Sequence, residues 1–284
     1  MDAGDRRAVF DAGVTHVWHG TTGGPLGADD LAVLSAAERD RARQMAEQPG
    51  RYYAGAHVAV RRILAGYLDT EPAGLRMGRL RCPECGGTDH GAPCVVWPQS
   101  ELSYSLSRSG PHWLLGITLG RQLGVDLEAA LTFVDAEQVA PMVLSASELA
   151  HLRAQPDEDR RFGEFLRCWT RKEAVLKASG IGLMADVSAV DVQPAQPGPV
   201  LVRHSAVTGP GVWAVTDLQI GGGRWAAIAR EPAGAGELVV RAYTQGAATA
   251  TAATPSGRTP AGRTPNDPTA DAHPAARRTP VRAS

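Results

Sequence analysis

The 284-residue sequence has no apolar run long enough to span a bilayer, which excludes a membrane-crossing helix. Its start has neither a basic segment leading into an apolar run nor a cleavage signature. The expectation is therefore a cytoplasmic protein with reduced thiols. Net charge is missing too: 29 Lys and Arg against 30 Asp and Glu leave −1 at pH 7, which gives a nucleic-acid role no support. Cysteine is scarce, with Cys82, Cys85, Cys94 and Cys168 the only four. Large apolar residues almost vanish over 245–284, where Ala, Thr, Pro and Arg dominate. Such a segment cannot bury enough surface to fold and is expected to be a disordered tail. Its five Arg against two Asp leave the preceding body mildly acidic. With 43% hydrophobic residues, the chain can build one large or two small domains.

Periodicity predicts a strand near 14–18, a helix from Ala36 to Met45 opened by a capping box from Ser35 to Glu38, and a second helix over 51–68. The cysteine segment reads as loop. Strands are expected near 101–107, 112–119 and 123–128, then a short helix at 135–142 and another opened by Ser145 with Glu148, a glutamate read as serving that cap. A long helix over 160–179 stops at Gly180, and strands follow near 187–193, 211–219 and 224–230, with an extra one at 237–243. Helices followed by strands, twice over, give an α+β pattern.

Within the strand at 123–128, alternation puts Asp126 and Glu128 on one face, with Val125 and Leu127 on the other. Two carboxylates this close call for a bound cation, a basic partner or open water. On the long helix Trp169, Glu173 and Lys177 share one stripe at i, i+4 and i+8. Two readings stay open for each pair. The acids are a solvent-facing strand end or a site for magnesium; Glu173 and Lys177 are an ordinary helical ion pair or the third carboxylate and the cation of the same site. The second reading suits phosphoryl transfer, where a metal and an ammonium offset charge and a carboxylate takes a proton.

The segments Gly124-Val125-Asp126-Leu127-Glu128 and W-T-R-K-E-A-V-L-K-A-S-G-I-G-L from Trp169 closely resemble the 4'-phosphopantetheinyl transferases of the larger, surfactin-synthetase-activating type. Further stations occur in order: L-S-A-A-E-R-D-R-A at 34–42, A-H-V-A-V-R-R-I-L at 56–64, H-G-A-P at 90–93, S-L-S-R-S-G at 105–110, S-A-S-E at 145–148 and W-A-A-I-A at 225–229. The resemblance implies a monomer of two pseudo-symmetric α/β halves, 1–120 with the coenzyme A phosphate contacts and 121–244 with the metal and catalytic residues. It implies transfer of 4'-phosphopantetheine from coenzyme A to a serine of an apo acyl or peptidyl carrier protein, releasing adenosine 3',5'-bisphosphate. By that resemblance Asp126, Glu128 and Glu173 hold Mg2+, Glu173 also acts as base, and Lys177 stabilises the phosphate. Arg41, Arg51, His90, Gly91, Ser107, Arg108 and Lys177 would meet coenzyme A, with Arg61 a further candidate.

Two positions depart from the family pattern. Arg108 stands where the family has His, and its planar fork suits a phosphate. Ala92 stands where the family has Lys or Arg, so one cation near the pyrophosphate is missing. These departures make a carrier-binding relative with weak or no activity the alternative. The cysteines add another: Cys82, Cys85, His90 and Cys94 form C-x2-C-x4-H-x3-C, a zinc knuckle one residue short. It reads either as structural zinc, a pattern also found in nucleic-acid binders, or as thiols that bind nothing. Cys168 reads as a buried apolar residue.

Overall fold

Two long helices of 22 residues each, Glu47–Leu68 and Glu158–Ser179, carry the apolar faces on which the sheets pack. The computed structural model describes residues 13–129, 136–181, 186–204, 210–232 and 236–244, so the segment expected to be a disordered tail lies outside the described residues. In chain order the elements are β1 (Thr15–Thr21), α1 (Ala28–Ala32), α2 (Ala36–Arg43), α3 (Glu47–Leu68), β2 (Arg76–Arg79), β3 (Pro93–Trp97), β4 (Leu102–Ser109), β5 (His112–Leu119) and β6 (Leu123–Ala129). Then follow α4 (Ala136–Val143), α5 (Ala146–Arg153), α6 (Glu158–Ser179), β7 (Val200–Arg203), β8 (Val212–Asp217), β9 (Arg224–Arg230) and β10 (Leu238–Ala242). The α+β class holds.

One sheet has the order β10-β1-β5-β4-β3-β2 and the other β6-β9-β8-β7. β10 runs parallel to β1, so a strand from the end of the described chain completes the sheet of the first half. Side-chain alternation assigns each face. In β5, Trp113, Leu115 and Ile117 join Val60, Ile63, Leu64 and Tyr67 of α3 in one core. The alternate residue Leu114 meets Val125, Leu127 and Ile228 of the second sheet. In β9, Ala227 and Ala229 turn the other way, onto Phe165, Leu166, Val175 and Leu176 of α6. The layers are thus α3, sheet, sheet and α6, and Asp126 and Glu128 alternate with the apolar pair Val125 and Leu127, which is buried between the sheets.

Both expected capping boxes form, with Ser35 and Ser145 accepting from Glu38 N and Glu148 N. Glu148, however, does far more than cap. It is fully buried, lies 2.8 Å from Lys172 Nζ, and accepts from Val192 N. Lys172 also donates to the carbonyls of Val187 and Val190. These side chains take the backbone groups that a ladder would need, which explains why the strand expected near 187–193 is replaced by a single 3-10 turn at Val187–Ala189. The segment read as loop around the cysteines instead contains the β2–β3 hairpin, and β7 was not anticipated. Among the described residues, no helix is long and apolar enough to cross a membrane.

Candidate functional site

Helix α6 lies against β6 at Gly124, where a methyl group would fall 2.0 Å from Ala174 O and 2.4 Å from Ala178 N. Only a residue without a side chain lets the helix backbone come so near the strand. That approach sets Glu173 and Lys177 against the Asp126 side of β6. Lys177 Nζ lies 2.5 Å from Asp126 Oδ1 and 3.1 Å from Ser107 Oγ, which itself donates to Asp126 at 2.8 Å. One step along β6, Ser109 Oγ donates to Glu128 Oε2 at 2.9 Å. The alternate serines of S-L-S-R-S therefore stitch β4 to the edge of β6, with Ser105 and Ser109 also accepting from the backbone amides of Val125 and Ala129.

Two carboxylate oxygens in this patch are buried without a hydrogen-bond partner, Asp126 Oδ2 and Glu173 Oε1. Orphaned anionic oxygens carry a desolvation cost that a cation would relieve. Glu173 registers that cost: burial, with repulsion from Asp126 and Glu128, pushes its carboxyl above the usual range, while Lys177 opposes the shift. Hard oxygen donors that share one patch and lack partners fit a divalent cation such as Mg2+. They form a looser set than Cys82, Cys85 and His90, whose ligand atoms all lie within 4.8 Å of one another. The other charged residues of the W-T-R-K-E motif serve the fold. Arg171, fully buried, pairs with Asp217 and donates to the carbonyls of Val192, Gln193 and Gln196. Lys172 is the partner of Glu148.

Beside Lys177 opens a cleft of about 490 Å3. Its lining contains Arg41, Arg79, Arg108, Lys177 and His57 and not one Asp or Glu, in a chain with a net charge near zero. An anion with several negative groups is the ligand such a wall selects. Arg108 stands over the Tyr53 ring with its guanidinium carbon 4.9 Å from the centroid, and both residues line the cleft. Arg41, His90, Gly91, Ala92 and Lys177, all singled out from sequence, line the same cleft. Gly91 has a steric reason: a Cβ there would meet Leu80 O at 1.9 Å. Both ring nitrogens of His90 are engaged, Nδ1 by Asp89 at 2.7 Å and Nε2 beside Cys85 Sγ at 3.2 Å.

Other expected contacts fall elsewhere. Arg51 lines a separate apolar recess with Leu26, Leu31 and Leu34. Arg61 is buried, bonded to Glu38 and to the carbonyls of Pro72 and Leu75. Ser107 is spent on Asp126 and Lys177. Conversely, Arg79 was not foreseen. The β2–β3 pairing sets it opposite Pro93, next to Ala92, and it donates to Gly91 O at 2.8 Å. The missing cation of H-G-A-P thus has a neighbour of the right charge on the adjacent strand. The only sequence signal was an arginine-rich run, R-M-G-R-L-R, in a segment read as loop.

Residues 122–229 match the 4'-phosphopantetheinyl transferase superfamily. The chain is 34% identical over 159 residues to the 4'-phosphopantetheinyl transferase HetI of Nostoc, a match covering 55% of this chain and 63% of that protein. It is 28% identical over 177 residues to a putative 4'-phosphopantetheinyl transferase of Synechocystis, covering 61% and 68%. It is also 32% identical over 99 residues to the 4'-phosphopantetheinyl transferase AcpT of Escherichia coli O157:H7, covering 34% and 49%. The chain therefore spans about half to two thirds of the length of these curated relatives.

Proposed function

We propose that this chain is a 4'-phosphopantetheinyl transferase, which moves phosphopantetheine from coenzyme A to a serine of an apo acyl or peptidyl carrier protein. The observation that carries the reading is the carboxylate-free basic cleft ending at Lys177 beside Asp126, Glu128 and Glu173. Coenzyme A offers a 3'-phosphate and a pyrophosphate to such a wall. Arg108, over the Tyr53 ring, has the planar fork for a phosphate, and Arg41 and Arg79 line the same cleft. The larger, two-half subfamily is favoured because the cleft draws Arg79 and Arg108 from one sheet and Lys177 from the helix on the other.

The reaction forms a bond from the serine oxygen to the β-phosphorus of coenzyme A and breaks the bond to adenosine 3',5'-bisphosphate, which leaves. Glu173 takes the serine proton, directly or through a water. Lys177 holds positive charge beside the phosphate, its ammonium positioned by Asp126 and Ser107. Asp126, Glu128 and Glu173 would hold a magnesium ion, which when bound supplies charge to offset that of the transferring group. Gly124 keeps α6, and with it Glu173 and Lys177, at working distance from Asp126.

Coenzyme A titrated into the protein with magnesium tests the reading by calorimetry, together with detection of adenosine 3',5'-bisphosphate. Binding should occur without a carrier, and the bisphosphate should appear only when an apo carrier is added. Absence of coenzyme binding would reject the proposal. Binding without release across several carriers would favour the inactive relative, and Ala92→Lys would then be the first substitution to try.

A further inference from the structure

The turn at residues 82–90 gathers a second cluster, separate from the carboxylates. Cys82, Cys85 and His90 bring their ligand atoms within 4.8 Å of one another. Cys85 Sγ and His90 Nε2 lie 3.2 Å apart. Zinc bond lengths of about 2.3 Å to sulfur and 2.0 Å to nitrogen, at a tetrahedral angle, place such atoms about 3.5 Å apart, so a small outward shift would admit the ion. The backbone is already folded around the sulfurs. Cys82 N donates to Gly87 O at 2.7 Å, Gly86 N to Cys82 O at 2.8 Å, and Gly87 N points at Cys85 Sγ at 3.4 Å. Gly86 has φ of 74°, the left-handed conformation the turn needs. On the far side of the imidazole, Asp89 Oδ1 lies 2.7 Å from Nδ1, which presents Nε2 as the ligand atom.

We propose that Cys82 Sγ, Cys85 Sγ and His90 Nε2 bind one Zn2+ per chain, with Asp89 as the outer partner of His90 and a solvent molecule in the fourth position. The assignment differs from the sequence spacing in one ligand. Cys94 stands in β3 opposite Gly78 and Ser103, outside the cluster. The metal would act as a clamp on the cleft. The residues that follow His90 directly, Gly91, Ala92 and Pro93, form the wall. At Gly180, the cap of α6, a methyl group would lie 3.6 Å from Pro83 Cδ and 3.9 Å from Ala92 Cβ, so the zinc turn rests against the end of the helix that carries Lys177. An ordering ion suits a segment with so little apolar material. In this arrangement His90 shapes the wall and does not itself meet phosphate.

The test is metal content, which does not depend on transferase activity. Tag-free protein, purified without chelator and dialysed, should contain about one zinc per chain by plasma mass spectrometry. Cys85 is exposed, so Cys85→Ser should keep its fold by circular dichroism and lose the zinc. Cys94→Ser and Cys168→Ser should retain it. Asp89→Asn should weaken zinc affinity about 10- to 100-fold without abolishing it. Replacement of the zinc by Co2+ should give thiolate charge-transfer and tetrahedral absorption bands that vanish in Cys85→Ser. A wild-type chain that takes up no zinc even when it is supplied overturns the proposal, as does zinc that survives Cys85→Ser. Loss of zinc in Cys94→Ser would overturn the three-ligand assignment.

Discussion

Gly124→Ala adds one methyl group at the point where β6 and α6 touch, and its consequence can be worked from two distances. The new carbon would sit 2.0 Å from Ala174 O and 2.4 Å from Ala178 N, both backbone atoms that no rotamer change can remove. Ordinary contact requires about 3.5 Å, so α6 must retreat by about 1.5 Å or tilt by as much at its C-terminal half. Overpacking of this kind costs about 1–3 kcal/mol, a fall in Tm of about 2–10 °C for a protein of this size. The rate should suffer more. Glu173 and Lys177 ride on the displaced segment while Asp126 stays on the strand, and a misplacement of about 1 Å in a positioned site costs about 100-fold. The assay is initial rate of holo-carrier formation at saturating coenzyme A, beside thermal melting. Gly163→Ala on the same helix is the control, because its methyl would meet Trp225 at an ordinary 3.4 Å. A Gly124→Ala enzyme within twofold of wild type, with an unchanged Tm, would refute the claim that this contact sets the catalytic spacing.

Arg79→Ala and Arg108→Ala should each raise the KM for coenzyme A about tenfold, the loss of one charge-assisted hydrogen bond, with a smaller effect on kcat. Arg51→Ala, in the separate recess, should leave that KM unchanged, and equal effects of all three would dissolve the distinction drawn between the two pockets. Glu173 has its folded-state carboxyl raised by burial and by Asp126 and Glu128, so the stability it contributes is present at low pH and is lost as pH rises past the ordinary carboxylate range through the raised value. In EDTA at neutral pH, Glu173→Gln should therefore raise Tm and flatten the pH dependence of melting. It should also remove the stabilisation that magnesium gives the wild type; a magnesium-induced rise in Tm equal in both proteins would contradict the ligand role.

Period-2 alternation made much of the site legible. β4, β5, β6 and β9 were read within a residue or two of their bounds, and the faces of Asp126 and Val125 follow from the alternation alone. Glu173 and Lys177 were legible for the same reason on a helix, as neighbours at i and i+4. What escaped was set by contacts distant in sequence. The β2–β3 hairpin encloses the cysteine turn, so its strands lack the short polar connection that marks a hairpin, and Arg79 could not be seen to reach Gly91. The strand expected at 187–193 was apolar enough, yet Lys172 and Glu148 take its backbone groups, and nothing local announces a buried ion pair between two helices. Arg61 and Arg51 looked alike as helical arginines. Glu38, beyond its cap, binds both His57 and Arg61, and only the packing of α2 on α3 tells the two apart.

The central claim is the transfer reaction itself, and intact-mass spectrometry of an apo carrier protein tests it most directly. The carrier is incubated with the chain, coenzyme A and magnesium, alongside an EDTA control and an Asp126→Ala control. The account predicts a mass gain of one phosphopantetheine, about 340 Da, on the carrier serine, lost in both controls as a metal-assisted phosphoryl transfer requires. An unshifted mass with every carrier type tried, or a shift that persists in Asp126→Ala, would contradict it.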